Sequence, residues 1–311
     1  MKQVKAPGPE SGPYTFTLRD AIQKPVAQGR VWSIAPAYQY CEQLARRHYE
    51  NFPVGSILIP RRLRKHFYAI YAFARTADDF ADEGYDLNYT IDERLALIRE
   101  WRSLLHASVS SDASHPVFVA LSDTIKQFDL PMRLFEDLLS AFSQDVTTKR
   151  YETFADLIDY CRLSANPIGR LILLLFGVKE EEMHRWSDCI CTALQLTNHW
   201  QDVALDLDKD RIYIPLSDLR QHEMDESSLL ARRSDRRFQR LMRLQVERAR
   251  ELFMQGKPLC LALSGRLALE LRAVWLGGWR ILELIEQNGY DVFARRPVIA
   301  SSDRLRILSE A

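Results

Sequence analysis

The chain has 311 residues, enough to bury one large core or two smaller ones. Its 42 basic and 42 acidic residues cancel and 47% of it is hydrophobic, so the overall charge gives no footprint for a nucleic-acid partner. The five cysteines follow neither a disulfide nor a zinc spacing, which implies a reducing compartment, and the longest apolar run, LILLLFGV at 171–178, is too short to span a bilayer.

Residues 1–34 are polar and rich in Gly and Pro, with no apolar run of the signal-peptide kind, and are expected to form an arm. From Ala37 helical periodicity takes over: AYQYCEQLARRHYE reads as a helix that stops near PVG at 53–55. Pro60 stands where a helix can begin, the stretch 63–82 holds no Gly or Pro, and Gly84 is a suitable stop. Further helices are predicted at about 91–106, 116–128, 131–143, 151–162, 165–176, 180–206, 226–254 and 266–288. Strand-like text is confined to RIYIP at 211–215, so an alternating α/β reading fails. The expectation is an all-α protein with one helical domain over 35–290 around a central core, followed by a tail at 291–311.

Two polar stripes stand out on this apolar background. Tyr71, Arg75, Asp78 and Asp82 are spaced 4, 3 and 4 and share a helix face, with Asp79 and Glu83 one position round the cylinder. Alone, this is also the pattern of a surface ion-pair ladder. A second stripe, Gln195, Asn198, Asp202 and Asp206 at spacings 3, 4 and 4, interrupts a segment rich in Leu, Trp, Ala and Val. Carboxylates clustered in this way repel one another and bind protons more tightly, and a hard divalent cation such as Mg²⁺ removes that penalty. Such a cation also takes oxygens from a diphosphate. Neither a phosphate-binding GxxxxGK[ST] loop nor a calcium-binding EF-hand loop is present. The chemistry that fits is ionisation of a carbon–diphosphate bond, with metal and cationic donors on the leaving group and aromatic rings such as Phe52, Tyr71 and Phe73 near the carbocation. From the carboxylates alone, a Mg²⁺-dependent phosphohydrolase stays open.

Taken in order, RTADDFAD (75–82), YCRLSANPIGRL (160–171) and QLTNHWQDVALD (195–206) followed by RIYIP, with HYENF (48–52) and LIPRRLR (58–64) upstream, resemble the motifs of the squalene/phytoene synthases. The resemblance runs from about residue 37 to 290 and implies the all-helical isoprenoid synthase fold with a central active-site cavity. It implies that Asp78, Asp79, Asp82, Asn198, Asp202 and Asp206 bind Mg²⁺ and that Arg75 and Gln195 contact the diphosphate. It places Tyr71, Tyr160 and His48 near the reacting end, and Phe52, Ala165 and Gly169 in the pocket wall.

Departures at Tyr49–Glu50–Asn51, Ser56, Asn166–Pro167 and Gln201 resemble the bacterial hydroxysqualene synthase branch. That branch converts presqualene diphosphate and water to hydroxysqualene and diphosphate, without NADPH, between a presqualene diphosphate synthase and a hydroxysqualene reductase. Polarity at Asn51, Ser56 or Asn166 is the sequence-level candidate for positioning the water. The expected setting is cytoplasmic, with peripheral contact at the inner membrane face. Presqualene diphosphate synthase, squalene synthase and phytoene synthase are the alternatives within the fold; an inactive helical assembly protein is the alternative outside enzymology.

Overall fold

In the computed structural model, which describes residues 17–26, 31–47, 59–82, 87–110, 113–300, 303 and 307, the regular elements are helices; the strand-like RIYIP forms one isolated bridge, Arg150 with Ile212. In chain order they are α1 (Leu18–Gln23), α2 (Ile34–Arg47), α3 (Arg61–Ala81), α4 (Ile91–Val109), α5 (Pro116–Phe128), α6 (Met132–Thr147) and α7 (Phe154–Ser164). Then follow α8 (Asn166–Leu175), α9 (Glu181–Gln201), α10 (Val203–Asp208), α11 (Leu216–Gln221), α12 (Glu226–Leu230), α13 (Arg236–Ala262) and α14 (Gly265–Gln287). The all-α expectation is met. His48, Asn51, Phe52, Ser56, Glu83 and Gly84 lie outside the described residues.

Local chemistry accounts for many of the helix starts. Thr90 accepts from the Glu93 N–H while the Glu93 carboxylate accepts from the Thr90 N–H, a reciprocal cap that opens α4; Thr153 and Asp156 do the same for α7. The carboxylate of Asp235 accepts from the Arg237 and Phe238 N–H groups and starts α13. The reading of one helix over 226–254 is thereby corrected: the chain ends α12 at Leu230, turns through Arg232 at φ 51°, and restarts at Arg236. Pro258 does not end α13, which runs on to Ala262.

Two hydrophobic cores lie side by side. The first gathers α2–α6 around the stacked and edge-on rings of Phe73, Trp101, Phe118 and Phe135, with the indole of Trp101 donating to the Phe73 carbonyl. The second gathers α7, α9, α13 and α14 around Trp200, Phe238 and Phe253. Burying rings of this size contributes about 2–3 kcal/mol each. Gly256 lets α13 lie against the backbone of α9, since a Cβ there would sit 2.7 Å from the Trp186 carbonyl oxygen. Helix α8 straddles the two cores, giving Leu171 and Leu175 to the first and Leu173 to the second, and two cavities open along it. Among the described residues no helix is long and apolar enough to cross a membrane.

Candidate active site

Helix α3 carries the first acidic stripe because its opposite face is committed to the core. Ala69, Ala72, Phe73, Ala77 and Phe80 are completely buried, which turns Tyr71, Arg75 and Asp78 toward the seam. Those three line one end of a cavity of about 280 Å³, whose remaining wall is apolar apart from Ser164: Phe67, Ile70, Leu138, Phe142, Ile168 and Ile172 among others. Arg75 reaches Asp78 at 3.1 Å and Asp79 at 2.6 Å. Asp79, one position round the helix, is thus held by the same guanidinium. Burial raises the Tyr71 phenol above its usual pKa, so it stays protonated.

The second stripe is divided by a feature with no sequence signal. The predicted helix over 180–206 breaks at Asp202 (φ −107°, ψ 12°), where α9 ends and α10 begins, without Gly or Pro. The break is held from outside: buried Gln201 donates to the Pro297 carbonyl, and Arg296 forms a two-pronged ion pair with Asp202. Residues 291–300 are therefore packed onto the second aspartate motif. Asp206, on α10, faces inward; burial first, and then neighbouring Asp202, push its carboxyl up to about 7. Gln195 lies 3.4 Å from the His199 ring, and Asn198 is exposed.

Arg211 joins the stripes. Its guanidinium, 11% exposed, pairs with Asp82 at 2.8 Å and reaches the Asp145 carbonyl at 3.4 Å, with Lys209 at 4.0 Å from Asp82. Asp145 is a further buried acid, whose carboxyl is pushed up to about 7 by burial while accepting a 2.7 Å hydrogen bond from Tyr160. Asp78 and Asp82 both raise Asp145, and Asp82 raises Asp206, so acids more than a hundred residues apart share one electrostatic site. Tyr160 also packs on Tyr151 and Tyr213, and Tyr213 stacks on His199 with centroids 3.6 Å apart. Burial, then Arg211, lowers His199 to about 3, so it is a neutral ring.

Asp145, Arg211, His199 and Tyr213 belong to the site although spacing along the sequence assigns them no role there. Asp145 carried a signal: it continues the cavity-lining face of Leu138 and Phe142 at helical spacing. Ala165 is the half-exposed junction of α7 and α8. Gly169 lines a second, adjoining cavity of about 170 Å³; a Cβ at this position would collide with Ser187 and Cys191 of α9. The two cavities share Phe67, Ile168 and Ile172. Asn166 points elsewhere, accepting from Thr192 at 2.9 Å and lining a separate polar pocket with Arg170 and Asp188.

As a metal site, the donor set is chemically suitable: hard carboxylate oxygens, with Asp206 already desolvated and like charges crowded around it. Among the described residues, however, no three acids, histidines or cysteines converge as a finished metal cage. Arg75, Arg211 and Arg296 hold the carboxylates instead. A cation and an anionic ligand together would redistribute those pairs, the arginines turning to the ligand's oxygens.

The chain is similar in sequence and fold to several known proteins. The hydroxysqualene synthase of Zymomonas mobilis is 42% identical over 171 residues, covering 53% of this chain and 54% of the relative. The phytoene synthase of Arthrospira platensis is 29% identical over 285 residues, covering 88% of this chain and 91% of its own length. The crystal structure of squalene synthase HpnC from Alicyclobacillus acidocaldarius superposes with a TM-score of 0.78 at 38% identity, covering 88% of this chain and 99% of that one. The squalene/phytoene synthase family model matches residues 45–303, and the chain belongs to that family, whose members are enzymes that process prenyl diphosphates.

Proposed function

We propose that this protein is a hydroxysqualene synthase: a Mg²⁺-dependent lyase that ionises presqualene diphosphate, lets the carbocation rearrange, and captures it with water to release hydroxysqualene and diphosphate. The observation that carries the ionisation chemistry is the junction of a carboxylate–arginine cluster with an apolar cavity at Tyr71, Arg75 and Asp78. A charged head and a hydrocarbon body are thereby served by one continuous site. The choice of water as the quencher is supported by the likeness to the hydroxysqualene synthase of Zymomonas mobilis.

In this reading Asp78, Asp79 and Asp82 on one side, and Asn198, Asp202 and Asp206 on the other, hold Mg²⁺. When bound, Mg²⁺ neutralises the diphosphate and stabilises it as a leaving group. Arg75 and Arg211, released from their carboxylates, donate to the departing oxygens, while Gln195 positions the head group. Neutral His199 and the protonated Tyr160 and Tyr213 place ring faces, not charges, beside the reacting end. Phe67, Ile70, Leu138, Phe142 and Ile172 exclude bulk water from the cation. The enzyme then acts after a presqualene diphosphate synthase and before a hydroxysqualene reductase, in the cytoplasm at the inner membrane face, with no need of NADPH.

The likeness to phytoene synthase over most of the chain favours a second reading, condensation of two prenyl diphosphates. Incubation with presqualene diphosphate and Mg²⁺, with and without NADPH, and separately with farnesyl diphosphate or geranylgeranyl diphosphate, decides between them. Hydroxysqualene from presqualene diphosphate without NADPH is the expected result; turnover confined to two-substrate condensation, or a hydrocarbon that requires NADPH, defeats the first reading.

A further inference from the structure

The second cavity has a wall of Ile59, Leu173, Ile190, Leu194, Leu259, Leu263 and similar side chains, yet one carboxyl group opens into it. Glu270 stands on the inward face of α14, three residues after Leu267 and four before Val274, where an amphipathic helix would place another apolar residue. Its Oε2 is buried and has no hydrogen-bond partner, and no ion pair holds the side chain among the described residues. A buried carboxyl group left unpaired costs stability, and a catalytic role is one reason for such a group to persist. Among the lining side chains the other polar groups are the Ser187 hydroxyl and the Cys191 thiol, which face each other at 4.0 Å across the Gly169 contact.

We propose that Glu270 is the catalytic base for the water-capture step, holding one water molecule against the carbocation and taking its proton. The inference rests on the hydroxysqualene reading above. Phe67, Ile168 and Ile172 line both cavities, so the two adjoin; in this proposal the hydrocarbon of a substrate anchored at the acidic end passes these side chains, so that its rearranged cation meets a water held by Glu270. Diphosphate leaves at the arginine-lined end with the electron pair of its C–O bond. A lone pair of the water oxygen forms the new C–O bond, one O–H bond breaks, and the proton passes to Oε2. Net, the diphosphate ester and water become the alcohol and protonated diphosphate, with no redox partner. Burial pushes this carboxyl up to about 7, so near neutrality it exchanges a proton readily, as a general base should. The thiol of Cys191, pushed up to about 12 by burial, cannot serve.

The test is the product partition of Glu270→Gln and Glu270→Leu with presqualene diphosphate and Mg²⁺ in ¹⁸O-labelled water, read as labelled alcohol per diphosphate released. Both variants should lower that ratio by about tenfold or more, with rearranged hydrocarbon making up the balance. An unchanged ratio in both, with wild-type alcohol formation intact, overturns the role of Glu270 and leaves the hydroxysqualene reading standing. Wild-type enzyme that forms no alcohol defeats that reading and this inference with it. Infrared difference spectra of wild type against Glu270→Gln give a second readout independent of turnover. A protonated carboxyl band that titrates near neutrality is expected; a carboxylate with ordinary titration overturns the buried-base assignment even if a variant proves inactive.

Discussion

Replacing Asp145 by Asn isolates the electrostatic cost of building this site. The carboxyl group, buried beneath Arg211 and bonded to Tyr160, titrates at about 7 instead of the ordinary 3.8. A carboxyl whose folded pKa is raised binds more protons folded than unfolded, so its contribution favours folding below about pH 4 and is lost as pH rises through 7. The shift of about three units corresponds to an upper value of about 4 kcal/mol at pH 8. Asn keeps an acceptor for Tyr160 but weakens that bond by about 1 kcal/mol. The net expectation at pH 8 is a stabilisation of about 2–3 kcal/mol, or about 4 °C in melting temperature for a protein this large. At pH 4.5 the variant should match wild type or melt slightly lower. Differential scanning calorimetry in EDTA-containing buffer at both pH values measures the difference. Equal destabilisation at both would show that the Tyr160 bond and Arg211 outweigh burial, and would refute the reasoning.

Asp82→Asn and Asp202→Asn, each removing a carboxylate from a different stripe, should lower Mg²⁺-dependent diphosphate release by about 100-fold or more, and EDTA should abolish it in wild type; full activity of either variant would remove that acid from the metal set. Gly169→Leu places a side chain where even a Cβ meets Ser187 and Cys191, so it should close the second cavity and depress turnover of the thirty-carbon substrate with little change in far-ultraviolet circular dichroism; undiminished turnover would mean that the chain does not use this cavity. Arg296→Ala frees Asp202 from a partly exposed ion pair, worth about 0.2–1 kcal/mol, so the Mg²⁺ concentration for half-maximal rate should fall by up to about fivefold. A higher Mg²⁺ requirement would show instead that Arg296 holds Asp202 in its binding position.

The all-helical class, most helix positions and the first acidic stripe are legible in the sequence, because these follow from periodicities of three and four along one chain. Tyr71, Arg75 and Asp78 could be assigned to one face from spacing, and they do share the wall of one cavity. What each stripe meets depends on contacts between distant parts of the chain. The break at Asp202 carries no Gly or Pro and is held by Gln201 and Arg296, whose partners lie almost a hundred residues apart in the chain. Arg211 becomes the hub because a loop, not a helix face, delivers it between Asp82 and Asp145. Asn166, polar and beside the motif, turns away to Thr192, whereas Glu270, unremarkable in a helix with other charges, faces apolar walls. Spacing fixes which side chains share a face of one helix; which neighbour that face meets depends on how the two cores pack, and that long-range packing is not written in any local stretch.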